Sequence, residues 1–253
     1  MSTQRDTFRK IAKFEKNTNP FHFEAMGFWR KTIEGWHKES LPKDKTPWEY
    51  FDMYQIMDNT PDSIKYLVDK VVFPAYYPLF ENKVLERKED YFICIEEDGI
   101  LKKQKNDKSS FPQFLKFPVE TRDDWKKIKE RLNPDIEERY KEAKDEARKI
   151  KGHDYILRFG ICGCYGFLRN LFGEEKLAYV YYDDPDLLHE MMRQWLKLYV
   201  GIADKLCPLI DFDYVFMWED MAYKTAPLIS PDLFREFMLP YYKNFTSHMK
   251  KKS

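Results

Sequence analysis

A short apolar run at residues 214–218, YVFMW, has the length and the residue types of a buried strand. Two adjacent carboxylates, Glu219 and Asp220, follow at the point where this strand should end. After a polar loop, Ser230 precedes a proline, which is the pattern of a capped helix N-terminus. The segment therefore predicts one β/α unit. In α/β folds, ligands bind in the loops that follow the carboxyl ends of the strands.

The preceding segment predicts more units of the same kind. Its amphipathic pattern predicts a helix at residues 133–150, and a strand is predicted at 154–159. Small residues at 160–166 predict a turn that leads into a helix ending at Gly173, because glycine is favoured just after a helix C-terminus. Apolar residues at helical spacing predict another helix from 185 toward 207. The order α, β, α, α, β, α favours a parallel sheet with helical crossovers.

Residues 83–105 have a different pattern. β-prone runs alternate there with turn signals at 89–90 and 98–99. This pattern predicts a two- or three-stranded antiparallel insertion. Its charged side chains, including Lys102, are expected to be solvated.

Composition and charge argue against several classes of function. Lys and Arg number 43 and so do Asp and Glu, which argues against a general binder of nucleic acid or anionic membranes. The four cysteines do not make a disulfide scaffold, and the nine glycines include no glycine-rich phosphate loop. Residues 3–14 predict a basic helix instead of a signal peptide, and no apolar run reaches the roughly 20 residues that span a bilayer. We expect a soluble, cytoplasmic protein with a single domain spanning residues 1–253.

Three carboxylates are candidates for catalysis. Glu219 and Asp220 could act as acid and base, as metal ligands or as anchors for a substrate amine, since burial and like-charge proximity raise the pKa of a carboxyl group. The alternative for both is a solvated strand end or a helix cap. Glu24 lies in the segment 21–29, which predicts a strand that leads into an aromatic turn, and could point into the same site. A structural carboxylate bonded to Arg30 is the alternative for Glu24.

Two cysteines and two tyrosines occupy the loops after the predicted strands. Cys162 and Cys164 form a C-x-C pair that could bind zinc or a thiol acceptor. The alternative is that they are two small buried residues that pack the strand-to-helix turn. Tyr165 and Tyr223 could donate hydrogen bonds to a ligand, with aromatic packing as the alternative. The five histidines show no metal-ligand spacing with one another.

Four stretches of the sequence carry a resemblance to a known family. They are GFWRKTIEGWHKESLP (27–42), FLKFPVETRDDWKKIK (114–129), FGICGCYGFLRNLFGEEKLAYVYYDDPDLLHEMM (159–192) and APLISPDLFREFMLPYYK (226–243). In this order they resemble the uroporphyrinogen decarboxylase superfamily, which also contains the cobalamin-dependent methyltransferases. The last stretch is the most specific, because a loop, a capped helix and an LPYYK turn recur in that order in the family.

The resemblance implies an α/β fold of the (β/α)8 TIM-barrel type, with N-terminal helices and a β-hairpin insertion at residues 83–105. Family members continue past the helix predicted to end near residues 250–252, so the resemblance implies a barrel that is incomplete at the C-terminus. In the methyltransferase branch the zinc ligands are a His-x-Cys pair and a later cysteine, which would lie beyond Ser253. The complete protein would then use zinc and a corrinoid, and this fragment alone would be inactive in that chemistry. A decarboxylase would need no cofactor.

Two departures from the decarboxylase pattern concern the substrate. The decarboxylase binds a polycarboxylated tetrapyrrole with an Arg-x-x-x-Arg pair after its first strand, whereas this chain has Arg30 and Lys31 but Glu34 at the second position. Matching the stretch that begins at Phe159 places Arg169 where the decarboxylase has a substrate-contacting tyrosine. Because a polycarboxylate needs several forked cations, methyl transfer is favoured over decarboxylation.

The resulting hypothesis is a uroporphyrinogen decarboxylase-like methyltransferase that depends on a corrinoid or a thiol. Its catalytic candidates are Glu219, Asp220 and Glu24. Its candidates for substrate binding are Arg30, Lys31, Tyr165, Arg169 and Tyr223. Decarboxylation of a polycarboxylated tetrapyrrole and a non-catalytic corrinoid-binding module are the alternatives. The expected partners are a small-molecule or corrinoid substrate, a corrinoid protein and a second copy in a homodimer, with no nucleic acid and no membrane.

Overall fold

The computed structural model of the chain describes residues 3–16, 18, 22, 27–53, 75–107, 110–154 and 156–252. Glu24 and most of the strand predicted at residues 21–29 lie outside this part of the chain. The candidate role of Glu24 therefore stays a prediction.

The described strands fall into two groups, one between residues 83 and 116 and one, alternating with helices, between 158 and 218. The helices are α1 (Gln4–Ala12), α2 (Arg30–Glu39), α3 (Pro47–Tyr50), α4 (Arg122–Arg131), α5 (Lys141–Lys149), α6 (Cys164–Phe172), α7 (Glu174–Asp183), α8 (Pro185–Leu206), α9 (Pro231–Phe237) and α10 (Leu239–Met249), with a 3-10 turn at Glu137–Tyr140. The strands are β1 (Lys83–Arg87), β2 (Tyr91–Ile95), β3 (Leu101–Lys105), β4 (Gln113–Lys116), β5 (Arg158–Cys162) and β6 (Tyr214–Trp218). None of the helices in these ranges is both long enough and apolar enough to cross a bilayer.

Side chains cap the starts of two helices, and the first of these caps was predicted from the sequence. The Ser230 hydroxyl accepts the backbone N–H of Leu233 at the start of α9. Thr121 and Asp124 form a reciprocal capping box at the start of α4. Each cap satisfies a backbone donor that the helix itself leaves unpaired.

The first sheet is antiparallel, with four strands in the order β1-β2-β3-β4. It includes the predicted insertion and extends beyond it, because β4 pairs with β3. The expectation for Lys102 is wrong: this side chain is 9% exposed, and its ammonium lies 2.7 Å from a carboxylate oxygen of Glu96 and 2.6 Å from one of Asp98. A buried lysine needs such partners to stay charged, and the alternation of the strand alone does not reveal them.

The second sheet is parallel and has two strands, β5 and β6. Its register runs from Arg158 opposite Tyr214 to Cys162 opposite Trp218. Helices α6, α7 and α8 form the connection between the strands. The predicted apolar face of α8 is completely buried at Met191, Trp195, Leu198, Tyr199 and Ile202. This face forms the centre of the main hydrophobic core.

The predicted (β/α)8 barrel is wrong. The described residues form one four-stranded antiparallel sheet and one two-stranded parallel sheet, and no closed barrel. Closure requires that every strand pairs on both sides around a ring. In the described part of the chain β5 and β6 pair only with each other. The local β/α alternation was correctly predicted from sequence, but it does not fix how many parallel strands pair.

Helix α1 is held at the amino end of the parallel strands by a buried carboxylate. The side chain of Asp213 has no exposed surface, and its oxygens accept the backbone N–H of Leu157 at 2.8 Å and Nε of Arg5 at 2.9 Å. Arg9 binds the same carboxylate. Asp211 adds further ion pairs to both arginines. The carboxylate of Asp213 thus connects α1, the residue before β5 and the start of β6.

We expect that Asp213→Asn destabilises the protein by about 3 kcal/mol, because it removes the buried one of the two carboxylates that compensate the arginine pair and leaves only the exposed Asp211. The free energy of unfolding in urea would measure the loss. Asp232→Asn is the matched control, since the Asp232 side chain is 94% exposed in its ion pair with Arg235 and should change the stability little. Equal stability of the two variants would contradict this role of Asp213.

Candidate functional site

The carboxyl ends of β5 and β6 meet the N-terminus of α6. The N–H of Gly163 donates to the carbonyl oxygen of Trp218 at 2.8 Å, which continues the parallel pairing beyond β5. The carbonyl of Gly163 then accepts the N–H of Phe167 at 2.8 Å and starts the helix. The next residue after Trp218 is Glu219, so its side chain is placed beside the first turn of α6.

Glu219 approaches the helix closely because Gly163 leaves room for its carboxyl and Gly166 leaves room for the carbonyl oxygen of Trp218 just before it. Its Oε2 accepts the N–H of Gly166 at 2.9 Å. A Cβ atom at Gly163 would lie 2.2 Å from the Glu219 carboxyl, and one at Gly166 would lie 2.8 Å from the carbonyl oxygen of Trp218. Both distances are shorter than any contact a side chain tolerates. Gly163 in the turn predicted at 160–166 is therefore required by this carboxylate, and Gly166 by the close approach of the end of β6.

Burial raises the pKa of Glu219 to about 7. The amides of Gly166, Tyr165 and Cys164 and the charge of Arg169 act in the opposite direction, because they stabilise the carboxylate. Desolvation is the larger effect. In addition, Oε1 is buried and has no hydrogen-bond partner among the described residues. Near neutral pH the Glu219 carboxyl therefore populates both protonation states, as an acid–base group requires.

Asp220 differs from its neighbour. Its side chain is 60% exposed, and its backbone has a φ of 52°, in the left-handed region that aspartate tolerates better than most residues. A carboxylate oxygen of Asp220 lies 3.5 Å from Nη1 of Arg169. The guanidinium of Arg169 in turn lies 4.4 Å from the centre of the Trp218 ring, and Glu174 is 3.7 Å from its Nη1. Asp220 is thus an exposed ion partner of Arg169. Asp220, Glu174 and the Trp218 ring together hold the Arg169 guanidinium at the end of β6.

The two cysteines are buried thiols. Burial and, next, the nearby Glu219 charge raise the pKa of both Cys162 and Cys164 well above the ordinary value. Across the described ranges, no group of three His, Cys, Asp or Glu side chains is placed to hold a metal ion. The described residues do not fit the zinc site that the C-x-C pair could have formed.

The remaining predicted residues are not all brought together. Tyr165 is buried on the first turn of α6, beside Glu219. Tyr223 is 71% exposed in the loop after β6. Arg30 and Lys31 are exposed on α2, where their ion partners are Glu34 at 3.5 Å and Asp107 at 3.2 Å. None of these partners belongs to the Glu219 site.

Two tyrosines of the site were missed by sequence reasoning. The Tyr242 hydroxyl on α10 accepts the N–H of Cys164 at 2.7 Å and joins α10 to the start of α6. Tyr181 on α7 is buried, and Glu219 and Cys164 are among the groups that raise its pKa. Tyr242 lies in the LPYYK segment, which was predicted as a turn but forms the start of α10, and the sequence assigned it no role. Tyr181 lies within the stretch at 159–192 that carries the resemblance, but the sequence assigned it no role.

Comparisons with protein-family models, with curated proteins and with solved structures give no match. The resemblance to the uroporphyrinogen decarboxylase superfamily therefore stays a hypothesis from sequence. The functional argument rests on the geometry around Glu219.

We expect that Gly163→Ala displaces the Glu219 carboxyl toward solvent, because the flexible end of that side chain yields before the backbone does. The pKa of Glu219 should then fall from about 7 toward its ordinary value of 4.5. Carbon-13 NMR of the Glu219 carboxyl during a pH titration measures this pKa. Gly35→Ala on α2, where an added Cβ meets nothing within 4 Å, is the control. An unchanged titration in Gly163→Ala would show that the site does not depend on this glycine.

We also expect a pH-dependent stability that originates at Glu219. Between pH 4.5 and about 7 the folded chain keeps a proton that the unfolded chain has lost, so this group's stabilising contribution is complete below pH 4.5 and lost as the pH rises through 7. The loss amounts to at most about 3 kcal/mol. Urea unfolding at pH 5 and pH 8 should show a smaller decline in Glu219→Gln than in the wild type. The exposed Glu130→Gln serves as control, and the same decline in all three proteins would refute the assignment.

Proposed function

We propose that Glu219 is the general acid–base group of a small-molecule enzyme, and that the reaction is methyl transfer involving a thiol or corrinoid acceptor. The supporting observation is one carboxyl group with a pKa of about 7, held at the carboxyl ends of two parallel strands. That is the location where α/β proteins bind ligands. The reaction class comes from the sequence resemblance to the uroporphyrinogen decarboxylase superfamily.

A thiol acceptor suits such a base. An ordinary thiol has a pKa of about 8.5, and a base near pH 7 removes its proton with less loss of free energy than an ordinary glutamate would. In the proposed step the Glu219 carboxylate accepts the thiol proton, and the sulfur forms a bond to the methyl carbon. The bond between that carbon and the methyl donor breaks, and its electron pair stays on the donor.

The side chains around Glu219 have supporting roles in this proposal. Arg169 lowers the pKa of Glu219 and so keeps the carboxylate form accessible. Tyr242 binds the backbone N–H of Cys164 and fixes the helix terminus that the carboxylate contacts. Cys162 and Cys164 remain protonated and serve as packing residues in the strand-to-helix turn. Because the described residues do not fit zinc, the proposed step uses none.

Decarboxylation of a polycarboxylated tetrapyrrole has weaker support. Such a substrate needs several forked cations at one site. Arg169 lies against Glu219, but Arg30 and Lys31 make their ion pairs with Glu34 and Asp107. A non-catalytic corrinoid-binding module would be distinguished by binding without turnover.

We expect that Glu219→Gln lowers kcat/KM for methyl transfer by about 10²–10⁴-fold, the usual contribution of a positioned acid–base group. The assay uses methylcobalamin as methyl donor and a small alkyl thiol as acceptor. The wild-type rate should rise with pH through an inflection near 7, which the variant should lack. Glu130→Gln, exposed on α4, is the control and should keep the wild-type profile. Full activity of Glu219→Gln would overturn the proposed role.

A further inference from the structure

A cleft lies at the amino end of the parallel sheet, beside the segments that lead into β5 and β6. Its volume is about 530 Å³, within the range of small-molecule binding sites. The end of α5, the turn after it, the loop after α8 and Arg5 of α1 form its walls. Glu219 lies at the opposite end of the strands. Because β5 has five residues, roughly 16 Å of strand lie between the two ends.

We propose that this cleft binds a small molecule with an apolar body and one carboxylate group. The proposed site is independent of the function proposed for Glu219, because the described residues that line the cleft include none from the Glu219 site. Two features of the lining support it, an apolar buried surface and an excess of positive charge at the rim.

The buried part of the lining is apolar. Ile150 and Ile210 line the cleft and are 6% and 2% exposed. Pro208 and Leu209 form one wall, and Leu209 is 39% exposed, so part of this apolar surface is in contact with water. Gly152 leaves another side open, since a Cβ atom added there would meet nothing within 4 Å. Covering such a surface with the apolar body of a ligand is favourable.

The rim carries an excess of positive charge. The described lining contains three permanent cations and one carboxylate, namely Arg5, Arg148, Lys151 and Asp211. The Asp211 carboxylate already has two partners, since Arg5 lies 2.9 Å and Arg9 2.8 Å from it. The charge of Asp211 is therefore compensated within the fold, and the charges of Arg148 and Lys151 remain to attract an anion.

Arg148 and Lys151 are both accessible to a ligand. The Arg148 side chain is 80% exposed, and its ion pair with Asp145 at 3.1 Å is a surface pair of the kind that contributes little to stability. Lys151 is exposed and makes no ion pair with any residue that the structure describes. Arg5 differs from both, because its guanidinium is bound to Asp213 and to two backbone carbonyls and so shapes the wall.

The backbone around the cleft favours a carboxylate over a phosphate. Helix α5 ends at Lys149 and α8 at Leu206, so both helices have their C-termini here. A helix C-terminus presents carbonyl oxygens and a partial negative charge, whereas phosphate sites commonly use the N–H groups of a helix N-terminus. A carboxylate bound by side-chain cations needs no backbone N–H. A cationic ligand would be repelled by Arg148 and Lys151.

Benzoate, benzamide and benzamidinium test this chemical class, since they share one shape and differ in charge. Binding is followed through the NMR shift of the backbone amide of Gly152, which lines the cleft. Benzoate should give a saturable shift and should bind roughly tenfold more tightly than benzamide. Benzamidinium, inorganic phosphate and acetate should all bind more weakly than benzoate. Acetate tests the apolar body, because it has the carboxylate alone.

Lys151→Glu should weaken benzoate binding roughly tenfold or more, because it replaces an attracting charge by a repelling one. The matched control is Lys197→Glu, the same change at an exposed position of α8 outside the cleft, which should bind benzoate as the wild type does. Leu209→Ser should weaken the binding of benzoate and leave that of acetate unchanged. Because all three positions are exposed, the variants should keep the wild-type Tm. Benzoate should raise the Tm of the wild type more than that of Lys151→Glu.

The opposite results would each overturn the proposed site. They are the absence of a saturable benzoate shift, binding of benzamide, benzamidinium, phosphate or acetate as tight as that of benzoate, and equal benzoate binding by Lys151→Glu and the wild type. The amide of Gly166, which donates to Glu219, reports on the other end of the strands in the same spectra. A benzoate shift at Gly166 without one at Gly152 would place the ligand at Glu219 and would equally overturn this second site.

Discussion

The parallel pairing of β5 and β6 is the constraint on which the described α/β part depends. At the amino end the Asp213 carboxylate accepts the N–H of Leu157, and the N–H of Asp213 donates to the carbonyl oxygen of Leu157. At the carboxyl end the N–H of Gly163 donates to Trp218. Between these points the crossover through α6, α7 and α8 brings the long apolar face of α8 onto the sheet. One pair of strands thereby fixes both the α1 attachment and the position of Glu219.

Two opposing electrostatic effects define the site. The N-terminal amides of α6 favour the ionised form of Glu219, and removal of the carboxyl from water disfavours it. Desolvation is the larger effect but the amides offset part of it, so the pKa of the carboxyl lies near neutral pH. An acid–base group needs this balance. Gly163 makes it possible, because a larger residue there would keep the carboxylate away from the helix, and Gly166 lets the end of β6 approach the same helical turn.

The geometry and the family resemblance support different parts of the functional proposal. Acid–base chemistry is supported by the surroundings of Glu219. Methyl transfer is proposed from the sequence resemblance alone, and the described residues contain neither a zinc site nor a cluster of polycarboxylate-binding cations at Glu219. The barrel implied by the same resemblance is corrected by the strand pairing. Fold class and function are thus separate inferences for this chain.

The sequence by itself determined the local elements and the central carboxylate. Apolar runs, capping residues and glycines predicted β6, the start of α9, the end of α6 and the strand-end position of Glu219, because these signals act over a few neighbouring residues. Even so, the predicted strand at 154–159 begins four residues before β5, which starts at Arg158. Strand boundaries depend on pairing partners that are distant in the sequence.

Only the tertiary structure decided which residues share the site. Glu219 and Asp220 are adjacent in sequence, yet one is drawn onto a helix terminus and the other is exposed beside Arg169. Tyr181 and Tyr242 join the site from helices that are remote along the chain, and Arg30 and Lys31 make their ion pairs elsewhere. The pKa of Glu219 depends on how completely water is excluded from its carboxyl. Packing in three dimensions sets that quantity, and no local pattern of residues encodes it.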